Sequence, residues 1–139
     1  MHPPDRTPFR LSVTAQPEDI DELGHVNNAV YLRWIQDIAT SQWRAVGRPE
    51  DVARYVWVVT RHEIDYLRAT LVGETVEMTT WVGTPQGARF ERFVEIAGPD
   101  GKLRVSARTV WALVDPASRR ALRIPAEVAA PFLQVSAGS

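Results

Sequence analysis

With 139 residues, 45% of them hydrophobic, the chain holds enough apolar material for one compact core and too little length for two. Its 16 basic and 17 acidic side chains leave a formal charge of -1, which excludes a global field drawing it to nucleic acid or to an anionic membrane. The absence of cysteine excludes disulfides, thiolate metal ligands and a cysteine nucleophile together, and fits a reducing compartment.

The opening, MHPPDRTPFR, has prolines and an acid where a signal peptide would have a basic end and an apolar run. Apolar runs such as YVWVV and WALV fall far short of the ~20 residues needed to span a bilayer. A cytoplasmic protein with neither membrane nor nucleic acid as partner is expected. Residues 1–8 and 134–139 read as flexible tails around a single domain at 9–133.

The first segment, FRLSVT, alternates as a strand. A polar stretch, DIDELGHVNN, follows, and after it the pattern changes. Val30, Tyr31, Trp34, Ile35, Ile38, Ala39, Trp43 and Val46 recur at steps of three and four, with Arg33, Gln36, Asp37, Gln42 and Arg44 between them. That spacing predicts one amphipathic helix, capped by the side-chain oxygen of Asn27 or Asn28 and stopped by Gly47 and Pro49.

Four strand-like segments come next: YVWVVTRHEIDYL, ETVEMTTWVGT, ARFERFVEIAG and KLRVSARTVWALVD. The short separators RATLVG, PQG and PDG predict that consecutive strands are antiparallel neighbours. In the first of the four, strict alternation puts Val56, Val58, Thr60, His62, Ile64 and Tyr66 on one face, with Trp57, Val59, Arg61, Glu63 and Asp65 on the other. One long helix laid on a curved antiparallel sheet of about five strands is an α+β domain. The edge or open face of such a sheet needs cover, and self-association supplies it.

The order strand, D-x-x-G-H-V-N-N-x-x-Y, long helix, four long strands resembles the hotdog-fold thioesterases, in particular the 4-hydroxybenzoyl-CoA thioesterase-like branch and the plant acyl-ACP thioesterases. The matching residues are Asp21, Gly24, His25, Val26, Asn27, Asn28 and Tyr31. IDYL and VWALVDPASRRALRIP are looser matches, and the resemblance runs from about residue 9 to about residue 128. It implies the hotdog fold, hydrolysis of an acyl-CoA or acyl-ACP thioester, and a homodimer or homotetramer with interfacial sites. Asp21 falls on the catalytic acid position. The plant motif has an asparagine two residues after that acid, where this chain has Leu23, so the simpler arrangement of one carboxylate with helix-end donors is expected.

A thioester carbonyl reacts faster when hydrogen-bond donors already point at the oxygen that becomes negative, and a helix start carries N–H groups without partners. The backbone of Gly24, His25 or Val26 is a candidate oxyanion donor. Asp21 can act as nucleophile or as general base, or can merely order the loop. His25 can orient water, reach the thioester oxygen or position Asp21, and Asn28 offers an amide that can hold water or the carbonyl. Asn27, Tyr31, Trp34 and His62 are the candidate substrate-binding side chains, and a helix-facing tryptophan can floor an acyl pocket.

Fifteen of the 16 basic residues are arginine. Arg119, Arg120 and Arg123 cluster after the last strand, where bidentate guanidinium groups can hold the phosphates of coenzyme A. His2, His25 and His62 have no metal-ligand spacing, so no metal is expected. No dissociable cofactor is implied either, since coenzyme A enters as part of the substrate. No G-x-S-x-G elbow or P-loop occurs, and the dehydratase motifs of the same fold are missing. A non-hydrolytic acyl-binding module would keep the pocket and dispense with Asp21.

Overall fold

The structure is a computed structural model that describes residues 6–134. His2 and most of the two expected tails lie outside the described residues. Where the described chain begins, the Thr7 N–H donates to the Gln134 carbonyl at 2.8 Å.

Five strands, β1 (Phe9–Thr14), β2 (Val56–Tyr66), β3 (Thr75–Val82), β4 (Arg89–Ala97) and β5 (Leu103–Val114), form one curved antiparallel sheet in the order β1-β3-β4-β5-β2. The helix α1 (Asn28–Val46) covers one face of it. Its start is capped by Asn27, whose Oδ1 accepts the Ala29 N–H at 2.9 Å, and Gly47 caps its end. Pro49 does more than stop that helix. It opens a second short one, α2 (Pro49–Arg54), at the first helical position, where its missing N–H costs nothing. A further turn, α3 (Ala126–Ala129), follows the sheet.

The core divides along α1. Val30, Tyr31, Trp34, Ile35 and Ile38 pack on Val76, Met78, Val94, Ile96, Val105 and Ala107. Ile35 and Ile38 are 0% exposed, and each such side chain contributes about 1.5–3 kcal/mol by leaving water. A second cluster under the other end of α1 joins Val82, Phe90, Leu113, Ile124, Val128 and Phe132, with Trp43 and Trp57 against it.

Two expectations about β2 are corrected. It does not neighbour β3, because it pairs antiparallel with β5 and takes the sheet edge. The eight-residue link 67–74 reaches at most about 26–29 Å, whereas passing three strand spacings needs about 14 Å, so a short link does not force adjacency. Nor does β2 alternate strictly. Its register with β5 shifts between Val59 and Arg61, and Thr60 is the extra residue, its hydroxyl donating to the Val110 carbonyl at 3.2 Å. The bulge puts Trp57 and Val59 on the same inner face as His62, Ile64 and Tyr66, while Val56 and Val58 turn outward and stand 45% and 42% exposed.

Candidate active site

The stretch ahead of α1 folds back on itself. Ile20 and Val26 form an antiparallel bridge, the Asp21 N–H donates to the His25 carbonyl at 2.8 Å, and the Gly24 N–H donates to the Asp21 carbonyl at 3.1 Å. Gly24 has φ +81°, a left-handed conformation that a side chain would strain, so glycine closes this turn. The Asp21 side chain holds the turn from within: its Oδ1 accepts the N–H groups of Leu23 at 2.9 Å and His25 at 3.3 Å. Oδ2 makes no hydrogen bond among the described residues. Asp21 lines a shallow open depression with Ile20, Glu22, Leu23 and Asn27.

The loop is anchored below. Buried Asp19 accepts the Gln16 N–H on Oδ2 at 2.9 Å and the Arg33 guanidinium on Oδ1 at 3.0 Å, and its carbonyl accepts the Asn27 N–H at 2.9 Å. The Val26 N–H donates to the Thr70 carbonyl at 2.9 Å. Tyr31 reaches the same residue from α1, its hydroxyl donating to Thr70 Oγ1 at 2.8 Å, while Arg104 donates to the Ala69 carbonyl at 2.7 Å and pairs with Glu74 at 3.0 Å. Loop, helix start and the 67–74 link are therefore one hydrogen-bonded unit.

The donors available to a ligand differ from those expected. The N–H groups of Gly24, His25 and Val26 all donate within the chain. The Asn28 N–H, first in α1 and at its positive end, has no partner among the described residues.

The profile of the thioesterase-like superfamily matches residues 15–132, most of the chain. The chain belongs to that superfamily. The chloroplastic acyl-(acyl-carrier-protein) hydrolase FATB3 of Cuphea viscosissima is 35% identical over 85 residues, 59% of this chain and 21% of that protein. The chain thus spans about a fifth of the length of this curated relative. A 1,4-dihydroxy-2-naphthoyl-CoA thioesterase from Synechocystis shares the fold with a TM-score of 0.79 at 14% identity, over 91% of this chain and 96% of the other. A Staphylococcus aureus protein in complex with CoA gives a TM-score of 0.83 at 18% identity, over 100% and 93% of the two chains. This chain shares the hotdog fold with both of these structures.

In this thioesterase-family chain, Asp21, Gly24, His25, Val26, Asn27 and Asn28 come together in the one loop. Tyr31 and Trp34 stand behind it, edge to face at 5.5 Å and buried in the first core cluster. His62 lies further along the inner face, opposite Thr109, and its Nδ1 is buried without a hydrogen-bond partner. Arg119, Arg120 and Arg123 are exposed on the turn after β5, whose end pairs with Val56, so they mark the far end of the sheet from Asp21. No helix among the described residues is long and apolar enough to cross a membrane. No group of three or more His, Cys, Asp or Glu among the described residues is placed to hold a metal ion.

A cavity of about 370 Å³ opens at that far end, between the last turns of α1 and the sheet. Trp43, Trp57, Phe90, Trp111 and Phe132 form its aromatic walls. Trp43 meets Trp57 edge to face at 5.6 Å and stacks on Phe132 at 5.7 Å. Trp81 faces the other way and stacks on Phe93 at 5.8 Å. Arg92 also lines the cavity, and sequence reasoning passed over it. The one signal was its place in β4, where Phe90, Arg92, Val94 and Ile96 all point inward.

Proposed function

We propose that this thioesterase-family chain hydrolyses an acyl-CoA thioester, or the equivalent thioester on an acyl-carrier protein, with Asp21 as the reacting carboxylate. The observation that carries the reading is the state of Asp21: one oxygen is clamped by two loop N–H groups, and the other, at a depression beside the start of a long helix, has no hydrogen-bond partner among the described residues.

In the nucleophilic route, Oδ2 adds to the thioester carbonyl carbon, the C–S bond breaks with its electron pair leaving on sulfur, and water hydrolyses the mixed anhydride to the free acid. In the general-base route, Oδ2 takes a proton from water as the water oxygen adds to the same carbon, after which the C–S bond breaks with its electron pair leaving on sulfur and the proton passes to the thiolate. Both pass through a tetrahedral oxyanion. The Asn28 N–H, at the positive end of α1 and without a partner among the described residues, supports a role as its donor. The Asn28 amide and the His25 ring make no hydrogen bond among the described residues, which leaves both for water or the thioester oxygen.

The assembly that completes the site is a homodimer through β2. An edge strand presents unpaired backbone groups, and this one adds two exposed valines. Antiparallel pairing across a two-fold axis lays the Val56 end of one β2 against the Tyr66 end of the other. Tyr66 packs on Tyr31 at 5.8 Å, beside the catalytic loop, whereas Val56 lines the aromatic cavity. Each loop then meets the mouth of the other protomer's cavity, and Arg119, Arg120 and Arg123 come to the side where the coenzyme A phosphates would lie.

Thiol release from a panel of short, long and aromatic acyl-CoA esters, with wild type and Asp21→Ala side by side, tests the reading. Turnover that the variant loses supports it. Undiminished turnover in the variant removes Asp21 from the chemistry, and tight binding without turnover in wild type favours an acyl-binding module.

A further inference from the structure

Arg92 is 8% exposed, in the layer between α1 and the sheet, yet it has no acidic partner. Its Nη1 donates to the Gln42 amide oxygen and to Thr80 Oγ1, both neutral, and no carboxylate lies within ion-pair distance among the described residues. The other buried arginine and two half-exposed ones are treated differently. Arg104 is paired with Glu74 and Asp100, Arg108 with Glu91 and Glu63, and Arg48 with Asp51. Burial pushes the Arg92 pKa down to about 10, which still leaves it charged at neutral pH.

A buried cation held only by neutral groups is costly, and a neutral side chain would bridge Gln42 and Thr80 without that cost. What distinguishes Arg92 is its position on the wall of the aromatic cavity, with Nε and Nη2 making no hydrogen bond among the described residues. The other charged groups lining the cavity are Arg44 and Glu91, and the Glu91 carboxylate is already taken by the Arg108 guanidinium at 2.6 Å. The cavity volume falls within the ~300–1,000 Å³ of small-molecule sites. Its aromatic walls suit an apolar body, and a guanidinium accepts a carboxylate through two parallel hydrogen bonds.

We propose that this cavity takes acyl groups whose far end carries a carboxylate, which pairs with Arg92 while the body of the chain packs against Trp43, Trp57 and Trp111. The ligand class is an ω-carboxyacyl thioester. For turnover the proposal rests on the hydrolase reading above, but the recognition itself does not.

Two measurements test it. Tryptophan fluorescence follows titration with a medium-chain carboxylate and with the alcohol of the same length, neither of which can be hydrolysed. Thiol release then compares a CoA ester ending in methyl with its ω-carboxy counterpart. Wild type should prefer the carboxylate in both by about tenfold or more, the scale of one well-placed charged pair. Arg92→Met should abolish the preference, and Arg92→Lys, which keeps the charge and loses the fork, should keep part of it. Equal binding of carboxylate and alcohol by wild type overturns the proposal, as does a preference that survives in Arg92→Met. A carboxylate preference in binding with no ester turned over sinks the hydrolase reading alone; turnover of both esters with no preference sinks this inference alone.

Discussion

The two ends of α1 bury apolar side chains to different effect. Around Ile35 and Ile38 the aliphatic groups of helix and sheet interdigitate until nothing remains exposed. Around Trp43 and Trp57 large flat rings meet at 5.6 Å, edge to face, and leave a cavity. Branched aliphatic side chains fill space between pleats, whereas rings held at right angles prop their neighbours apart. The closed end carries the loop of Asp21, the carboxylate proposed above to react, and that loop is tied to α1 and to the 67–74 link by hydrogen bonds. The hollow end is the site proposed for the acyl group. The Arg92, Gln42 and Thr80 cluster runs between them as a polar seam.

The largest expected effect separates chemistry from packing at the closed end. Asp21→Asn keeps a side-chain oxygen for the loop N–H groups but removes the carboxylate, and should lower kcat by about 10³-fold, within the range for a positioned acid or base. Its melting temperature should stay near that of wild type, and a large fall would mean that Asp21 is chiefly a turn residue. Next comes Ile38→Ala, which opens a void in a filled core and should cost about 2–5 kcal/mol, read from urea denaturation. Trp43→Leu at the hollow end should cost less than Ile38→Ala because its ring already borders empty space, while changing which acyl esters are preferred. Equal losses from the two variants would erase the contrast drawn between the ends.

Tyr31→Phe deletes the hydroxyl that ties α1 to Thr70. It should cost about 1 kcal/mol, with a drop in kcat larger than that stability loss implies if the 67–74 link positions the loop. The smallest effect concerns pH. Burial lowers the pKa of half-buried His62 below its ordinary 6.5, so the folded state favours the neutral ring. The unfolded chain takes up a proton first as pH falls, and the stability present above 6.5 is lost progressively below it. Thermal melts at about pH 5.5 and about pH 7.5 should show this slope, and His62→Gln should flatten it.

Local patterns were enough for much of this protein. The step of three and four from Val30 to Val46, the Asn27 cap and the Gly47 stop define α1, because a helix is built from contacts within its own segment. The composition of the later segments marks all four strands, and the GHVNN loop with Asp21 is legible as a motif of known thioesterases. Tertiary structure decided what depends on partners remote in sequence. One extra residue at Thr60 reverses the facing of half of β2, and that choice lies in the hydrogen-bond register with β5 rather than in the alternation of β2 itself. The same holds for the strand order, since an eight-residue link permits more than one neighbour. Arg92 reads as one more surface charge until folding lays Gln42 over it, 50 residues away, with no acid in reach. Burial and the absence of a counter-charge are properties of the assembled layers, and only they make that arginine a candidate ligand-binding group.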